Sequence, residues 1–308
     1  MRRILLAVHE GREEATKVAS AFAADLRTQG IEVAVLDTEV DALRHAGLDD
    51  AHVVAAVPGA AAGCELMVVF GGDGTILRAA ELCRGTDTPV LGVNLGHVGF
   101  LAEADVEDIQ DVVRVVADRG YTVEERLTVD VSVTVAGKVV ATNWALNEAS
   151  VEKAARERML EVVVEIDNRP VSRWGCDGIV CATPTGSTAY NFSAGGPIVW
   201  PEVSALLMVP ISAHALFARP LVVSPDSTLA IEVVGEHATG VLWCDGRRAH
   251  DLPRGARVVV RRSPIPVRLA RLAQGPFTDR LVRKFNLPVT GWRGPVDEPT
   301  TDTGSIPL

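Results

Sequence analysis

The hydrophobic pattern of this chain changes character near residue 121. Before that point, short apolar runs such as residues 4–8, 66–70 and 89–93 alternate with stretches of helical period. This alternation predicts an α/β domain with a mostly parallel sheet. After it, residues 128–135 alternate strictly between apolar and polar, and further β-rich runs follow between Gly, Pro and Asp. That pattern predicts a mainly β second domain built as a sandwich of stacked sheets.

We therefore divide the chain at residue 120. Residues 1–120 are predicted to form a Rossmann-like α/β domain, and residues 121–275 are predicted to form a β-rich, sandwich-like domain. Residues 289–308 carry Pro, Thr, Gly and Asp without an apolar period, which is typical of a flexible tail.

Composition narrows the class of protein. The 308 residues carry a formal net charge of -10 and are 47% hydrophobic, which argues against a disordered chain and against a protein that coats DNA or RNA. No apolar run approaches the roughly 18 residues of a membrane helix, and the run after Arg3 is too short for a signal peptide. The five cysteines form no CxxC pair, which is typical of reduced thiols. We expect a soluble, cytoplasmic protein with no membrane or nucleic-acid partner.

The sharpest local signal is the sequence GGDGT at residues 71–75, between a buried strand and a helix. Three glycines let the backbone turn tightly and direct N–H groups at an anion, and a helix N-terminus adds a favourable dipole. An Asp-Gly hairpin turn is the alternative, which the helix-favouring residues 77–82 disfavour. Because residues 1–125 hold 22 acids against 10 bases, a phosphate bound there needs backbone dipoles or a metal ion.

Asp73 is the acid inside this loop. Because its negative charge would repel a phosphate, its presence there needs a functional explanation. It either accepts the proton of an attacking hydroxyl or holds a magnesium ion that neutralises the phosphates. Arg78, about one helical turn later, either reaches phosphate or is an ordinary solvated arginine. A second glycine loop, residues 94–101, should lie beside the first at the carboxyl ends of parallel strands, where such sheets bind ligands. We expect its His97 to be structural or exposed.

Two further segments carry polar side chains suited to a nucleotide. Asn147 and Glu148 set an amide beside a carboxylate, which fits an adenine edge or ribose hydroxyls, although a helix cap or a turn is the simpler explanation. Residues 176–197 concentrate Gly, Ser and Thr around one tyrosine, which suits a surface that closes around a nucleotide. A Ser/Thr loop that caps a short helix explains this composition but not its length. Arg158 ends a charged stretch before a strand.

Together these motifs resemble those of the NAD kinase family. The resemblance spans most of the chain and rests on GGDGT, on NLGHVGFL at 94–101, on Asn147-Glu148, and above all on DGIVCATPTGSTAYNFSAGGP at 177–197. GGDGT alone is also similar to phosphofructokinases and diacylglycerol-type lipid kinases. The resemblance implies transfer of the terminal phosphate of ATP or inorganic polyphosphate to the 2′-hydroxyl of the adenosine ribose of NAD. The product would be NADP, and Mg²⁺ or another divalent cation would take part.

The resemblance also implies roles for individual residues, with Asp73 as the proton acceptor. The residues expected to bind the nucleotides are Asp73, Gly74, Arg78, Asn147, Glu148, Arg158, Asp177, Thr188, Ala189, Tyr190, Asn191 and Ser193. Residues 1–120 would bind the phosphate donor and residues 121–275 would bind NAD. A C-terminal helix over 276–288 would pack back on the first domain, and the chain would form a homo-oligomer, either a dimer or a tetramer. The family often has Cys-Pro before the histidine that matches His214, whereas this chain has Ser-Ala, so we assign His214 no chemistry.

Two alternatives differ from this hypothesis in their chemistry. A lipid kinase of the diacylglycerol type would share the glycine loop, but its acceptor pocket should be apolar, whereas residues 183–193 are polar. A non-catalytic module that senses NAD or NADP would not need an acid in the middle of the phosphate loop. Formation of NADP from NAD and a donor separates all three.

Overall fold

The computed structural model describes residues 2–96, 99–105, 109–155, 158–235, 239–272 and 275–289. Within these ranges the chain forms three sheets, divided between two lobes. The helices are α1 (Glu13–Thr28), α2 (Val40–His45), α3 (Asp73–Cys83), α4 (Ile109–Ala117), α5 (Tyr190–Ser193) and α6 (Phe277–Phe285), with a 3-10 turn at Thr185–Thr188. No helix in the described part of the chain is long and apolar enough to cross a membrane.

The sheet of the first lobe is mostly parallel, as predicted. Its strands are β1 (Arg3–Val8), β2 (Glu32–Leu36), β3 (His52–Val54), β4 (Leu66–Phe70), β5 (Val90–Asn94), β6 (Ala104–Asp105), β7 (Thr122–Arg126) and β20 (Val267–Arg271). They run in the order β3-β2-β1-β4-β5-β20-β7, with β6 also paired to β5. Neighbours are parallel except β20 with β7.

Helices cover both faces of this sheet, which explains why its central strands are continuous apolar runs. Side chains of β1 alternate between the two faces. Leu6 packs in a cluster with Phe22 of α1 and Val112 of α4. Leu5 belongs to the cluster on the other face, which includes Ile76 of α3. The second cluster packs α3 on its face of the sheet, and the N-terminus of α3 follows the carboxyl end of β4.

Two strands that the sequence assigns to the β-rich domain lie in the first sheet instead. β20 pairs with β5 and with β7, so the first lobe extends to residue 126 and also includes residues 267–271. The observed division therefore differs from the one predicted at residue 120. The physical reason is that an alternating strand has the same sequence pattern in either sheet, and its partner is chosen by long-range packing. Residues 290–308, most of the predicted tail, lie outside the described residues.

The second lobe is an antiparallel β-sandwich, as predicted. One six-stranded sheet contains β10 (Glu148–Lys153), β13 (Gly178–Ala182), β14 (Leu206–Ile211), β15 (Leu221–Val223), β17 (Gly240–Cys244) and β18 (Arg248–Leu252). The other contains β8 (Val129–Val135), β9 (Lys138–Ala145), β11 (Leu160–Ile166), β12 (Arg169–Cys176), β16 (Leu229–Val233) and β19 (Arg257–Arg262). Alternate residues of both sheets form one core around the fully buried Trp174.

Helix α6 lies against both lobes through an aromatic cluster. Phe277 and Phe285 contact Phe100, which follows β5, with ring centroids 6.0 and 5.8 Å apart. The same two side chains contact the segment after β13: Phe285 lies 4.6 Å from Phe192, and Phe277 lies 5.2 Å from Trp200. The helix therefore connects the loop after β5 to the polar segment of the second lobe.

Candidate functional site

The crevice between β1 and β4 is the point where the strand connections change direction. β1 continues through α1 to β2 on one side, whereas β4 continues through α3 to β5 on the other. Loops that leave the sheet at such a point separate and make room for a ligand. The GGDGT motif lies in this crevice, because α3 begins at its aspartate. The alternative of an Asp-Gly hairpin turn is therefore wrong.

A cleft of about 580 Å³ opens at this point. Gly71 donates its N–H to the carbonyl oxygen of Val93 at 3.0 Å, and a Cβ added at Gly71 would lie 2.4 Å from Oγ1 of Thr75, so only glycine fits this turn. No atom of the described residues lies within 4 Å of a Cβ added at Gly72 or Gly74, and both residues line the cleft. The residues that line the cleft are Val8, His9, Glu10, Arg12, Gly72, Gly74, Thr75, Arg78, Asn94 and Arg247.

Arg78 stands in the wall of this cleft with two acidic partners. Its guanidinium lies 2.7 Å from a carboxylate oxygen of the buried Glu39 and 3.1 Å from one of the exposed Glu10. Glu39 also accepts the backbone N–H of Val8 at 2.9 Å. Burial raises the pKa of Glu39, while the hydrogen bond from Val8 and the charge of Arg78 oppose that rise. Arg78 is therefore fixed at the cleft by an ion pair and is not an ordinary solvated arginine.

The Asp73 carboxylate is held by two backbone N–H groups from the loop after β5. Phe100 donates to Oδ2 and Leu101 donates to Oδ1, each at 3.0 Å. A Cβ added at Gly99 would lie 2.3 Å from Oδ1, so this loop approaches the carboxylate as closely as a glycine permits. Two N–H donors stabilise an ionised carboxylate, and each of its oxygens keeps capacity for another donor such as a hydroxyl. The two glycine loops thus adjoin each other, as the sequence predicted.

Asn147 and Glu148 begin β10, and a third acid fixes their backbone. Asp245 accepts the N–H of Leu146 at 3.0 Å and that of Asn147 at 2.7 Å, and its own N–H donates to the carbonyl oxygen of Glu148 at 2.9 Å. Arg248 pairs with Asp245 at 2.7 Å. The pair is therefore neither a helix cap nor a simple turn. Its backbone is locked, and both side chains are buried.

Glu148 lies in an environment that disfavours its charge. Burial and the negative charge of Asp245 raise the pKa of Glu148 to about 8, and a hydrogen bond from the backbone N–H of Tyr190 only partly opposes this. Its Oε2 atom is buried without a hydrogen-bond partner among the described residues. A carboxyl group of this kind is protonated at neutral pH and can donate a hydrogen bond as well as accept one.

The predicted nucleotide-binding segment forms a 3-10 turn followed by the short helix α5. Thr188 and Ala189 are partly buried at the junction, whereas Tyr190 and Ser193 are exposed. Burial and the charge of Glu152 raise the pKa of Tyr190. Among the described residues no side chain caps α5, but the Thr183 hydroxyl accepts the N–H of Gly186 at 3.1 Å at the start of the 3-10 turn. The alternative of a Ser/Thr loop that caps a short helix therefore describes the 3-10 turn and not α5.

Asn191 differs from its neighbours because its side chain points into the segment itself. It is fully buried, and its Nδ2 atom donates to the carbonyl oxygens of Ser187 and Pro197, each at 3.1 Å. A Cβ added at Gly196 would lie 2.4 Å from its Oδ1. The Asn191 side chain therefore stabilises the fold of the segment.

The remaining predicted residues lie farther along the same lobe. Asp177 precedes β13, and its carboxylate lies 2.5 Å from the ammonium group of Lys153. A hydrogen bond from Lys153 lowers the pKa of Asp177, and Ser212 and His214 act in the same direction. Arg158 is exposed just before β11. His97 lies outside the described residues.

Asp245 and the C-terminal arginine Arg280 contact the candidate site but lie in no motif that the sequence predicts. Asp245 and Gly246 form the turn between β17 and β18, so their sequence signals only a hairpin. No local pattern marks the contact of Asp245 with Asn147, which is 98 positions away. Arg280 on α6 reaches the carbonyl oxygen of Phe100 at 3.1 Å, across 180 positions.

The site therefore joins two lobes with different chemistry. The first lobe contains a crevice at a helix N-terminus and a fixed carboxylate beside it. The second contains a buried amide and carboxyl pair next to a polar segment. An anion crevice, a proton-accepting group and a polar acceptor surface are the parts that a kinase needs. The fold and the site define a phosphotransferase that acts on an alcohol group.

Comparison with known proteins identifies the family within this class. Residues 4–121 match the model of the ATP-NAD kinase N-terminal domain, and residues 146–272 match that of the ATP-NAD kinase C-terminal domain. The chain belongs to the NAD kinase family. The family named in the sequence analysis is confirmed, and the lipid-kinase alternative is wrong.

Relatives and solved structures agree with this assignment. An NAD kinase of Thermobifida fusca is 60% identical over 299 residues, which cover 95% of this chain and 92% of the relative. An NAD kinase of Rhodococcus opacus is 52% identical over 305 residues, 95% of each chain. The crystal structure of yeast NADH kinase complexed with NADH shares the fold, with a TM-score of 0.84, 22% identity, and coverage of 94% of this chain and 89% of that one. An Archaeoglobus fulgidus NAD kinase in complex with ATP has a TM-score of 0.69 and 25% identity, covering 92% and 98%.

Proposed function

We propose that this chain transfers the terminal phosphate of ATP to the 2′-hydroxyl of the adenosine ribose of NAD, with Asp73 as the proton acceptor. The geometry of the Asp73 carboxylate carries the proposal. It stands at the N-terminus of α3 beside the cleft, and two backbone N–H groups hold it in one orientation. A carboxylate with this position and orientation supports a role as the acceptor of the ribose hydroxyl's proton.

The proposed reaction is an in-line displacement at the terminal phosphorus of ATP. The ribose oxygen attacks the terminal phosphorus of ATP, the bond from that phosphorus to the bridging oxygen breaks, and ADP leaves. The hydroxyl proton passes to Asp73. Because the transition state of phosphoryl transfer is loose, orientation of the hydroxyl matters more than its full deprotonation. The two N–H donors hold the Asp73 carboxylate in one orientation and leave each oxygen able to accept a further hydrogen bond.

The donor would lie in the cleft at the switch point, where the backbone at Gly72 and Gly74 is open and Arg78 forms part of the wall. Inorganic polyphosphate has a similar terminal phosphate and stays a predicted donor. The described residues contain no group of three or more His, Cys, Asp or Glu side chains that could hold a metal ion, so they do not fit a resident metal centre. Magnesium in kinases is bound largely through substrate phosphates. The predicted divalent cation would therefore arrive with the donor.

NAD would lie against the second lobe, between the Asn147-Glu148 pair and the segment of residues 185–197. Glu148 in its neutral form suits a ribose hydroxyl, because it can both donate and accept. The predicted contacts of Gly74, Asp177, Thr188, Ala189, Tyr190 and Ser193 belong to this proposal, as does that of the exposed Arg158. A contact from Asn191 would come from its backbone, since its side chain is used within the segment.

Assembly and location are also part of the proposal. A homo-oligomer, either a dimer or a tetramer, is supported by apolar side chains on the surface of the second lobe: Leu216 is fully exposed and Phe217 half-exposed. A cytoplasmic location is supported by the five cysteines, which are all buried thiols.

The test of the proposed function is the Asp73→Asn variant, assayed for NADP after incubation with NAD, ATP and Mg²⁺. Turnover should fall by about two to four orders of magnitude, because an amide cannot accept the proton. Binding of NAD, measured by calorimetry, should be retained. Asp111→Asn is the matched control, since Asp111 lies in the first turn of α4 and is not among the residues that line the cleft.

Unchanged turnover in Asp73→Asn would remove this residue from the mechanism. If the unmodified protein formed no NADP with either ATP or polyphosphate, the module that senses NAD or NADP without catalysis would be the better explanation.

A further inference from the structure

Arg280 has a position that the roles assigned so far do not explain. Its guanidinium is mostly buried between α6 and the loop after β5. It forms an ion pair with Glu103, whose carboxylate is 2% exposed. The same guanidinium donates to the carbonyl oxygen of Phe100 at 3.1 Å. Arg280, which lies 180 positions after Phe100 in the sequence, thus fixes the peptide carbonyl of Phe100.

The residue whose carbonyl Arg280 binds is also the one that holds Asp73. The N–H of Phe100 donates to Oδ2 of Asp73 at 3.0 Å, while the carbonyl oxygen of Phe100 accepts from Arg280. Residue Phe100 is therefore fixed at both its polar backbone groups, once by the arginine and once by the aspartate. Burial lowers the pKa of Arg280, and the negative charges of Glu124, Asp73 and Glu202 oppose this.

We propose that Arg280 is a positioning residue for Asp73: by binding the Phe100 carbonyl and the Glu103 carboxylate, it fixes the loop whose N–H groups orient the Asp73 carboxylate. This inference rests on the proposed role of Asp73 as proton acceptor. A displaced loop would leave the carboxylate present but misaligned, and misalignment by a fraction of an ångström is costly in phosphoryl transfer.

Docking of α6 does not depend on this arginine alone. The rings of Phe277 and Phe285 pack on both lobes, and Leu281 is buried. Glu103 keeps a second cationic partner, because Arg271 also pairs with it. Removing the Arg280 guanidinium should therefore loosen the loop while the helix stays in place.

The test is a double-mutant cycle between Arg280 and Asp73. Arg280→Gln in the otherwise unmodified chain should lower kcat about tenfold and leave the Kd for NAD unchanged, on the scale of one hydrogen bond from a charged donor. In the Asp73→Asn background, the same substitution should change kcat by less than about twofold, because its effect passes through the missing carboxylate. Arg283→Gln, an exposed arginine of the same helix, is the control for loss of charge.

Arg280→Lys serves as a second variant in both backgrounds. A lysine keeps the positive charge but cannot bind Glu103 and the Phe100 carbonyl with a planar fork, so its kcat should lie between those of the unmodified chain and Arg280→Gln. Thermal unfolding shows whether Arg280→Gln folds. If it does not, the double-mutant cycle is measured with Arg280→Lys instead.

Equal proportional losses of kcat in both backgrounds would overturn the inference, as would a loss confined to KM or to thermal stability. If Asp73→Asn itself kept full turnover, the proposed function would fail first. If Asp73→Asn were impaired while Arg280→Gln were not, only the inference would fail.

Discussion

At the scale of single residues, Glu148 shows how burial decides the charge of a side chain. It begins a strand, its carboxyl group is buried, and the carboxylate of Asp245 lies nearby. An exposed glutamate is ionised at neutral pH, but these surroundings raise its pKa to about 8. The fold therefore accommodates an acid here in its neutral form, and one of its oxygens has no hydrogen-bond partner among the described residues.

This raised pKa predicts how stability depends on pH. Between pH 4.5 and about 8, the unfolded chain loses the Glu148 proton while the folded chain keeps it. The contribution of Glu148 to stability is therefore fully present below pH 4.5 and is lost as pH rises towards 8. Relative to Glu148→Gln, the unmodified chain should lose unfolding free energy across this window. Urea unfolding at several pH values, with the half-exposed Glu161→Gln as control, measures the difference. If the difference in unfolding free energy between the unmodified chain and Glu148→Gln stayed constant with pH, the raised pKa of Glu148 would be contradicted.

At the scale of elements, the 3-10 turn at Thr185–Thr188 packs directly on the Asn147-Glu148 pair. A Cβ added at Gly186 would lie 2.0 Å from the carbonyl oxygen of Asn147, and Thr183 donates its N–H to that same oxygen at 2.9 Å. The two parts of the expected NAD surface are thus joined by backbone contacts. Neither can move without the other.

Gly186→Ala should separate these two parts. The added methyl group meets backbone, which cannot move aside like a flexible side chain, so we expect a loss of about 1–3 kcal/mol in stability. The variant should also bind NAD more weakly in calorimetry. Gly275→Ala is the matched control, since no atom in the described part of the chain lies within 4 Å of a Cβ there. Equal behaviour of the two variants would show that the close packing is unimportant.

A strand or helix can be predicted from the sequence when the residues that determine it are close together in the chain. β1 and β4 could be predicted because both faces are covered, which makes each a continuous apolar run. The start of α3 could be predicted because Gly71 and Asp73 act locally. β7 and β20 could not be assigned to their sheet, because strand pairing between distant segments leaves no mark in either segment alone.

At the scale of the whole molecule, the two lobes are interlocked. β20 follows the last strand of the sandwich yet completes the first sheet. Arg84 at the end of α3 lies 4.2 Å over the ring of Trp144 in the sandwich, and Arg248 lies 4.7 Å from the same ring. Arg248 also pairs with Glu81 of α3. The helix that begins at Asp73 is therefore tied directly to the lobe that contains Asp245.

Because of this interlocking, the lobes should unfold together. Calorimetry of the full chain should show one cooperative transition. A fragment of residues 1–120 lacks β7 and β20, so it should not form a stable sheet by circular dichroism or hydrogen exchange. Two well-separated transitions, or a folded fragment, would show that the lobes are independent.

The candidate site shows the same limit on sequence-based prediction. Asp73 and Asn147-Glu148 could be found because their motifs are contiguous. The role of the Asn191 side chain within its own segment, and the contacts of Asp245 and Arg280, depend on parts of the chain that come together only in the fold. Local composition identifies the groups that could meet a ligand, whereas the groups that orient them are distant in sequence.

The late position of β20 and α6 in the chain governs when activity can begin during translation. A ribosome that has made residues 1–126 has released every strand of the first sheet except the one that lies between β5 and β7. That strand, and the arginine that fixes the loop beside Asp73, emerge only after the whole sandwich has been synthesised. Chains that terminate before β20 are therefore expected to lack both the strand between β5 and β7 and the arginine contact to the loop beside Asp73.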